Sequence, residues 1–212
     1  MNSAHRVTGL YAVTPDESDT KRLAVLVAQA IAGGARLVQY RNKTASAALR
    51  AEQGLALLEV CRHANVPLVI NDDIELAERI GADGLHLGRE DGDLAHARAR
   101  LAGALLGASC YSDVGRALEA KRQGADYVAF GSFFASSTKP GATRAPLAII
   151  AEARRSVGLP VVAIGGITLE NTPSLLAAGV NAVAVVSALF GAHDVRAAAA
   201  RFAALFAGQT RE

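Results

Sequence analysis

The sequence predicts one (β/α)8 barrel, an α/β fold in which eight parallel strands alternate with helices around a closed sheet. Three observations predict it. Short apolar runs alternate with segments of helical apolar spacing eight times between Leu10 and Phe206. One punctuation returns before every second strand: Gly34-Ala35-Arg36, Gly81-Ala82-Asp83, Gly124-Ala125-Asp126 and Gly179-Val180-Asn181, with Pro67 and Pro160 introducing strands three and seven. Eight units within 212 residues leave almost no room for insertions, as a minimal barrel requires. An open doubly wound sheet is the competing fold. It is disfavoured because eight strands are reached without the early Gly-x-Gly-x-x-Gly turn such sheets use for dinucleotides.

Each element has its own signal. Leu10 to Thr14 is the first strand, and Leu23 to Ala32 is a helix closed by Gly33-Gly34. Leu37 to Tyr40 is the second strand, followed by a helix from Ala47 to about Ala64. Pro67 to Ile70 is an apolar run ending in Asn71-Asp72-Asp73. Ile74 to Ile80 has the spacing of a short helix stopped by Gly81, and Gly84 to Leu87 is a strand ending in Gly88-Arg89-Glu90-Asp91. A helix over Leu94 to Leu101, a strand over Ala104 to Ser109, a helix over Val114 to Gln123 and a strand over Tyr127 to Phe130 follow. Gly131 to Arg144, rich in Ser, Thr, Pro and Gly, has no periodicity and predicts a mobile loop. Leu147 to Val157 is helical, Val161 to Ile164 a strand, Thr172 to Ala178 a helix, Ala182 to Val186 the eighth strand and Val195 to Phe206 the closing helix.

Composition narrows the function. Half the residues are apolar, with 20 Gly and 6 Pro, which suits a single domain over residues 1–212 with a sizeable core. A formal charge of +2, evenly spread, gives no reason to expect nucleic acid or an acidic membrane as partner. Met1 to Arg6 lacks an apolar leader and the longest apolar run, Val180 to Ala192, is shorter than a membrane span, so a cytoplasmic protein is expected. Cys61 and Cys110 form neither a metal spacing nor a disulfide framework and are expected as reduced core thiols. The oligomeric state is not fixed by these features, and a homo-oligomer is left open.

In such a barrel the functional groups follow the strands. Two sub-sites can be read there. Gly165-Gly166 after strand seven and Val186-Ser187-Ala188 at the end of strand eight occupy the places where barrels bind phosphate with bare backbone N–H groups. The crossover joining strands three and four puts Asp72 and Asp91 on one side of the sheet. With Lys43 and Lys139, those carboxylates suit a Mg²⁺ shared with substrate phosphates. Asp73, directly before an apolar helix, reads as an N-cap. His86, inside an apolar strand, reads as a hydrogen-bonded core histidine before it reads as a base.

Six stretches in order and spacing resemble the thiamine phosphate synthase family. They are Gln39 to Lys43, Val69 to Asp73, Gly81 to Asp91, Ser136 to Lys139, Ala163 to Ile167 and Val185 to Ala188, and the likeness covers nearly the whole chain. Family members usually carry Gln, Glu and Thr where this chain has Arg89, Asn42 and Ser136.

The resemblance implies a transferase that joins hydroxymethylpyrimidine diphosphate to hydroxyethylthiazole phosphate, giving thiamine phosphate and diphosphate. It implies that Gln39, Tyr40, Arg41, Asn42, Lys43, Asn71, Ser109 and Lys139 hold the pyrimidine diphosphate, and that Asp72 and Asp91 carry Mg²⁺. Ser136, Ser137, Thr138, Gly166, Val186 and Ser187 would hold the thiazole phosphate. Arg41, Lys43, Ser109 and Lys139 are the candidate catalytic residues. A thiazole tautomerase of the same superfamily is the nearer rival, and a non-catalytic barrel binding a phosphorylated metabolite is the other. Retention of Asp72, Asp91, Lys43 and Lys139 favours the synthase.

Overall fold

The computed structural model describes residues 7–135 and 143–208. Eight strands close into a barrel in sequence order: β1 (Gly9–Val13), β2 (Ala35–Tyr40), β3 (Leu68–Asn71), β4 (Gly84–Leu87), β5 (Leu105–Tyr111), β6 (Tyr127–Phe130), β7 (Val161–Ile164) and β8 (Ala182–Val185). Every neighbouring pair is parallel, and β1 pairs with both β2 and β8, so the sheet has no free edge. The open-sheet alternative is thereby excluded.

Between the strands lie α1 (Thr20–Ala32), α2 (Ala47–His63), α3 (Ile74–Ile80), α4 (Leu94–Arg100), α5 (Val114–Arg122), α6 (Ala148–Ser156) and α7 (Thr172–Ala178). A short helix α8 (Ser187–Phe190), which the sequence pattern did not foresee, precedes the closing helix α9 (Val195–Ala207). Side chains of Asp19, Ser46, Asp73, Asp93, Asp113 and Asp194 accept hydrogen bonds from first-turn amides, so six helices start at a polar cap. Asp73 is the cap expected of it, accepting from Leu76 N at 2.9 Å.

The recurring punctuation has a second purpose. In three of its four occurrences the third residue bonds the start of the preceding strand: Asp83 accepts from Leu68 N at 2.9 Å, Asp126 from Leu106 N at 2.8 Å and Asn181 from Val161 N at 2.8 Å. These contacts tie the N-terminal rim together, away from the strand ends that carry chemistry. The glycine two places earlier supplies the turn, and Gly81 (φ 65°) and Gly179 (φ 97°) are left-handed caps that only glycine occupies without strain.

Strand alternation divides the core into two shells. Tyr11, Val13, Leu37, Val69, Leu105, Tyr127, Val162, Ala182 and Ala184 fill the barrel. Leu10, Val38, Ile70, Leu85, Leu106, Val128, Ala163 and Val183 face outward against the helices, where Leu23, Leu57, Ile150 and Phe202 meet them. Cys61 and Cys110 are free and buried in that outer shell, and burial pushes each thiol up to about 12. No helix among the described residues is long and apolar enough to cross a membrane.

Candidate active site

Asp72 sits just past β3 in the left-handed region (φ 64°), a conformation Asp tolerates better than most side chains. Its N–H donates to His86 O on β4 at 2.9 Å, and Asn71 Nδ2 donates to its Oδ2 at 2.6 Å. The turn thus aims the carboxylate at the space above β3 and β4. Asp91, from the loop after β4, meets it there. Its carboxyl is held above the usual range by burial, then by the negative charge of Asp72 and the hydrogen bond between the two, offset in part by Lys43 and the Gly88 N–H. A Cβ on Gly88 would fall on the Asp91 carboxylate where it now stands, so the bare glycine leaves that position open to it.

Lys43 Nζ lies 3.4 Å from Asp72 Oδ2 and is half exposed. Its placement begins on β1. Thr14 Oγ1 donates to Arg41 O at 2.9 Å and accepts from Arg41 N at 2.8 Å, while Asp16 Oδ1 accepts from Lys43 N at 2.9 Å and stands 3.3 Å from Arg41 Nη1. Two adjacent cations are therefore set by the preceding loop.

Beneath them, Tyr40 OH donates to Gln53 Oε1 at 2.8 Å, and Asn42 Nδ2 donates to the same oxygen at 3.1 Å and to Glu17 O at 2.7 Å. Asn42 Oδ1 accepts from Thr44 N, Thr44 Oγ1 and Ala45 N. Both residues face a cavity of about 450 Å³ together with Lys43, Arg50, Asn71, Asp72 and Asp91, but their polar atoms are committed to the loop itself. Arg50 Nε is the one buried side-chain nitrogen or oxygen without a hydrogen-bond partner among the described residues.

Inside the barrel a polar file crosses the apolar interior. Gln39 Nε2 donates to Tyr11 OH at 2.8 Å, Tyr11 OH and Tyr127 OH lie 2.8 Å apart, Tyr127 OH is 3.0 Å from His86 Nδ1, and His86 Nε2 is 2.9 Å from Ser109 Oγ. Burial lowers His86 to about 4 despite the nearby Asp91, so the imidazole is neutral at pH 7. It is the hydrogen-bonded core histidine the sequence suggested.

On the far side of the same rim, Gly165 (φ 99°) and Gly166 (φ 64°) form the turn after β7. The sequence led to the expectation of bare glycine to admit a phosphate. The structure shows a packing reason for both glycines: a Cβ on Gly165 would meet Ser132, and one on Gly166 would meet Phe134 and Ala135, because the segment after β6 lies directly on the turn. Asn171 Nδ2 holds Gly166 O at 2.9 Å. Val186 is the N-cap of α8 and Ser187 its first residue, which puts a helix N-terminus where only a strand end had been expected. Ser136, Ser137, Thr138 and Lys139 lie outside the described residues.

The Arg89 guanidinium lies 5.0 Å from the centroid of the Tyr111 ring, a cation–π contact. Sequence reading missed Asp16, Gln53, Tyr11, Tyr127 and Arg116, whose guanidinium donates to Ser109 O at 2.7 Å and Gly88 O at 3.1 Å and so braces β5 against the loop of Asp91. Asp16 carried a usable signal, a carboxylate just past a strand at the C-terminal rim. The two tyrosines carried none beyond a hydroxyl in an apolar strand.

The C-terminal rim of this barrel sets paired carboxylates and two cations across from a glycine turn and a helix N-terminus, and that rim is where barrel enzymes carry their chemistry. Residues 10–189 match the family model described as thiamine monophosphate synthase. The chain is 52% identical over 201 residues to the thiamine-phosphate synthase of Methylobacillus flagellatus, covering 94% of this chain and 96% of that protein. It is 51% identical over 205 residues to the thiamine-phosphate synthase of Thiobacillus denitrificans, covering 96% and 97%. Among solved structures it is similar to thiamine phosphate pyrophosphorylase from Pyrococcus furiosus, with a TM-score of 0.85, 34% identity and coverage of 95% and 96%. The chain belongs to the thiamine monophosphate synthase family and is a transferase.

Proposed function

We propose that this protein transfers the hydroxymethylpyrimidine group from its diphosphate to hydroxyethylthiazole phosphate, giving thiamine phosphate and diphosphate. What carries the reading is the meeting of Asp72, Asp91 and Lys43 in one cavity, from three different strand ends.

Asp72 and Asp91 fit Mg²⁺. They are hard oxygen donors brought close enough for Asp91 to feel the charge of Asp72, a repulsion that a divalent cation relieves. Among the described residues no cluster of three or more His, Cys, Asp or Glu could hold a metal, which suits an ion that completes its shell with substrate oxygens and water. When bound, Mg²⁺ would neutralise charge developing on the departing diphosphate.

The rest is placement and charge. Lys43, Arg41 and Lys139 would bind the diphosphate and grip it more strongly as the carbon–oxygen bond lengthens, because negative charge then moves onto the leaving oxygens. Gln39, Asn71 and Ser109 would hold the pyrimidine ring, with Tyr40 and Asn42 supporting the loop that carries the cations. The methylene carbon, made cationic and delocalised into the aminopyrimidine, is captured by the thiazole nitrogen, which needs no general base. Gly166, Val186 and Ser187, with Ser136, Ser137 and Thr138, would hold the thiazole phosphate and so aim that nitrogen.

The test is formation of thiamine phosphate by purified protein given both substrates, with and without Mg²⁺. Metal-dependent product is expected. Thiazole phosphate binding without product would overturn the reading in favour of a tautomerase or a regulator.

A further inference from the structure

The file from Gln39 to Ser109 has a direction. Gln39 Nε2 donates to Tyr11 OH, whose only other partner among the described residues is Tyr127 OH. Tyr11 is 1% exposed, and its hydroxyl proton must have an acceptor, so Tyr11 donates to Tyr127. Tyr127, fully buried, then donates its own proton to His86 Nδ1. With Nδ1 accepting, the imidazole proton sits on Nε2 and is donated to Ser109 Oγ. The hydroxyl proton of Ser109 is left over.

Each step follows from the one before, so the two ends are set together. At one end the amide oxygen of Gln39 meets no described donor; at the other, Ser109 retains a free O–H. Reversing the Gln39 amide would reverse every bond and leave an NH₂ at one end and an acceptor alone at the other. The barrel makes room for the device at Gly107, where a Cβ would collide with Tyr127 and His86.

We propose that the buried file Gln39–Tyr11–Tyr127–His86–Ser109 is a specificity device: it fixes an acceptor at Gln39 and a donor at Ser109, and so selects an aminopyrimidine over its 4-oxo counterpart. The inference rests on the reading above, in which Gln39 and Ser109 hold the pyrimidine. An aminopyrimidine offers an exocyclic N–H to the first and a ring nitrogen lone pair to the second. The 4-oxo ring sets a carbonyl against the Gln39 amide oxygen, a direct mismatch, and at Ser109 its ring N–H takes the place of the lone pair that the free O–H would meet. A site built to hydrogen-bond one pattern rejects its inverse strongly because buried polar groups are then left unpaired. Tyr11, Tyr127 and His86 act as positioning residues.

The experiment titrates wild type and Tyr127→Phe with the aminopyrimidine diphosphate and with its 4-oxo counterpart, without thiazole phosphate, and with inorganic diphosphate as the control. Tyr127→Phe keeps the ring but cuts the file, freeing both ends to reorient. The amino-over-oxo preference is expected to fall by about tenfold or more while inorganic diphosphate affinity holds. An unchanged preference overturns the proposal, and so does a parallel loss for all three ligands. If Tyr127→Phe does not fold, the ¹⁵N spectrum of wild-type His86 decides: a single Nε2–H tautomer is expected, and Nδ1–H or a mixture overturns the proposal. Wild type that makes thiamine phosphate yet binds both pyrimidines equally overturns the device alone. No product and no pyrimidine binding overturns the function as well.

Discussion

Lys43 Nζ stands 3.4 Å from Asp72 Oδ2, linking the loop after β2 to the turn after its neighbour β3 at the mouth of the barrel. Neither side chain is buried deeply, so this pair contributes little to stability, and its value is in setting cation and carboxylate side by side for an anionic ligand.

The first prediction concerns Asp72. Asp72→Asn keeps a side chain that tolerates φ 64° and can still meet Asn71, but removes the charge. Mg²⁺-dependent turnover should fall by at least about 10² while thiazole phosphate binding is retained. Steady-state kinetics beside direct titration of thiazole phosphate would separate the two, and an equal loss of both would contradict the division of the site.

His86 and Asp91 pull acid stability in opposite directions. His86 is lowered to about 4, so the unfolded chain binds more protons between about pH 6.5 and 4. Stability from His86 is complete above its unfolded value and lost as pH falls through that window, by roughly 3 kcal/mol. His86→Gln should flatten this part of the stability curve in chemical denaturation.

Asp91 is raised instead, so its contribution is complete below the unfolded value near 3.8 and lost as pH rises through the higher folded value. Asp91→Asn should therefore raise the Tm of metal-free protein at pH 7. It should also remove most of the Tm gain that added Mg²⁺ gives wild type, measured by thermal melts with and without the ion.

Gln53 is fully buried and accepts from both Tyr40 and Asn42. Gln53→Leu leaves the Tyr40 O–H without its acceptor and Asn42 Nδ2 with Glu17 O alone, and should cost about 2–4 kcal/mol in a urea titration. Because Asn42 shapes the loop that ends in Lys43, KM for the pyrimidine diphosphate should rise as well, although Gln53 itself touches no ligand in the proposed arrangement.

Gly166→Ala should be worse than a lost ligand contact. The added methyl meets Phe134 and Ala135 at φ 64°, so at least about 2 kcal/mol of stability should go together with thiazole phosphate affinity. Thermal melts and titration on one preparation would check both.

The sequence by itself determined the order of elements, because apolar periodicity, aspartate caps and left-handed glycines act within a few residues of where they are written. It also placed Asp72, Lys43, Gly166 and Ser187 at strand ends, since a parallel barrel sends every strand end to the same rim. It did not give α8, four residues too short to leave a period, nor the assignment of Tyr40 and Asn42 to the frame of their loop, which depends on Gln53 in the next helix. Only the tertiary structure decided the buried file. Tyr11 and Tyr127 are 116 residues apart and His86 is 41 from Tyr127, each a lone polar side chain in an apolar strand. Closure of the sheet turns those side chains into one space, and there the need of every buried donor for an acceptor joins them.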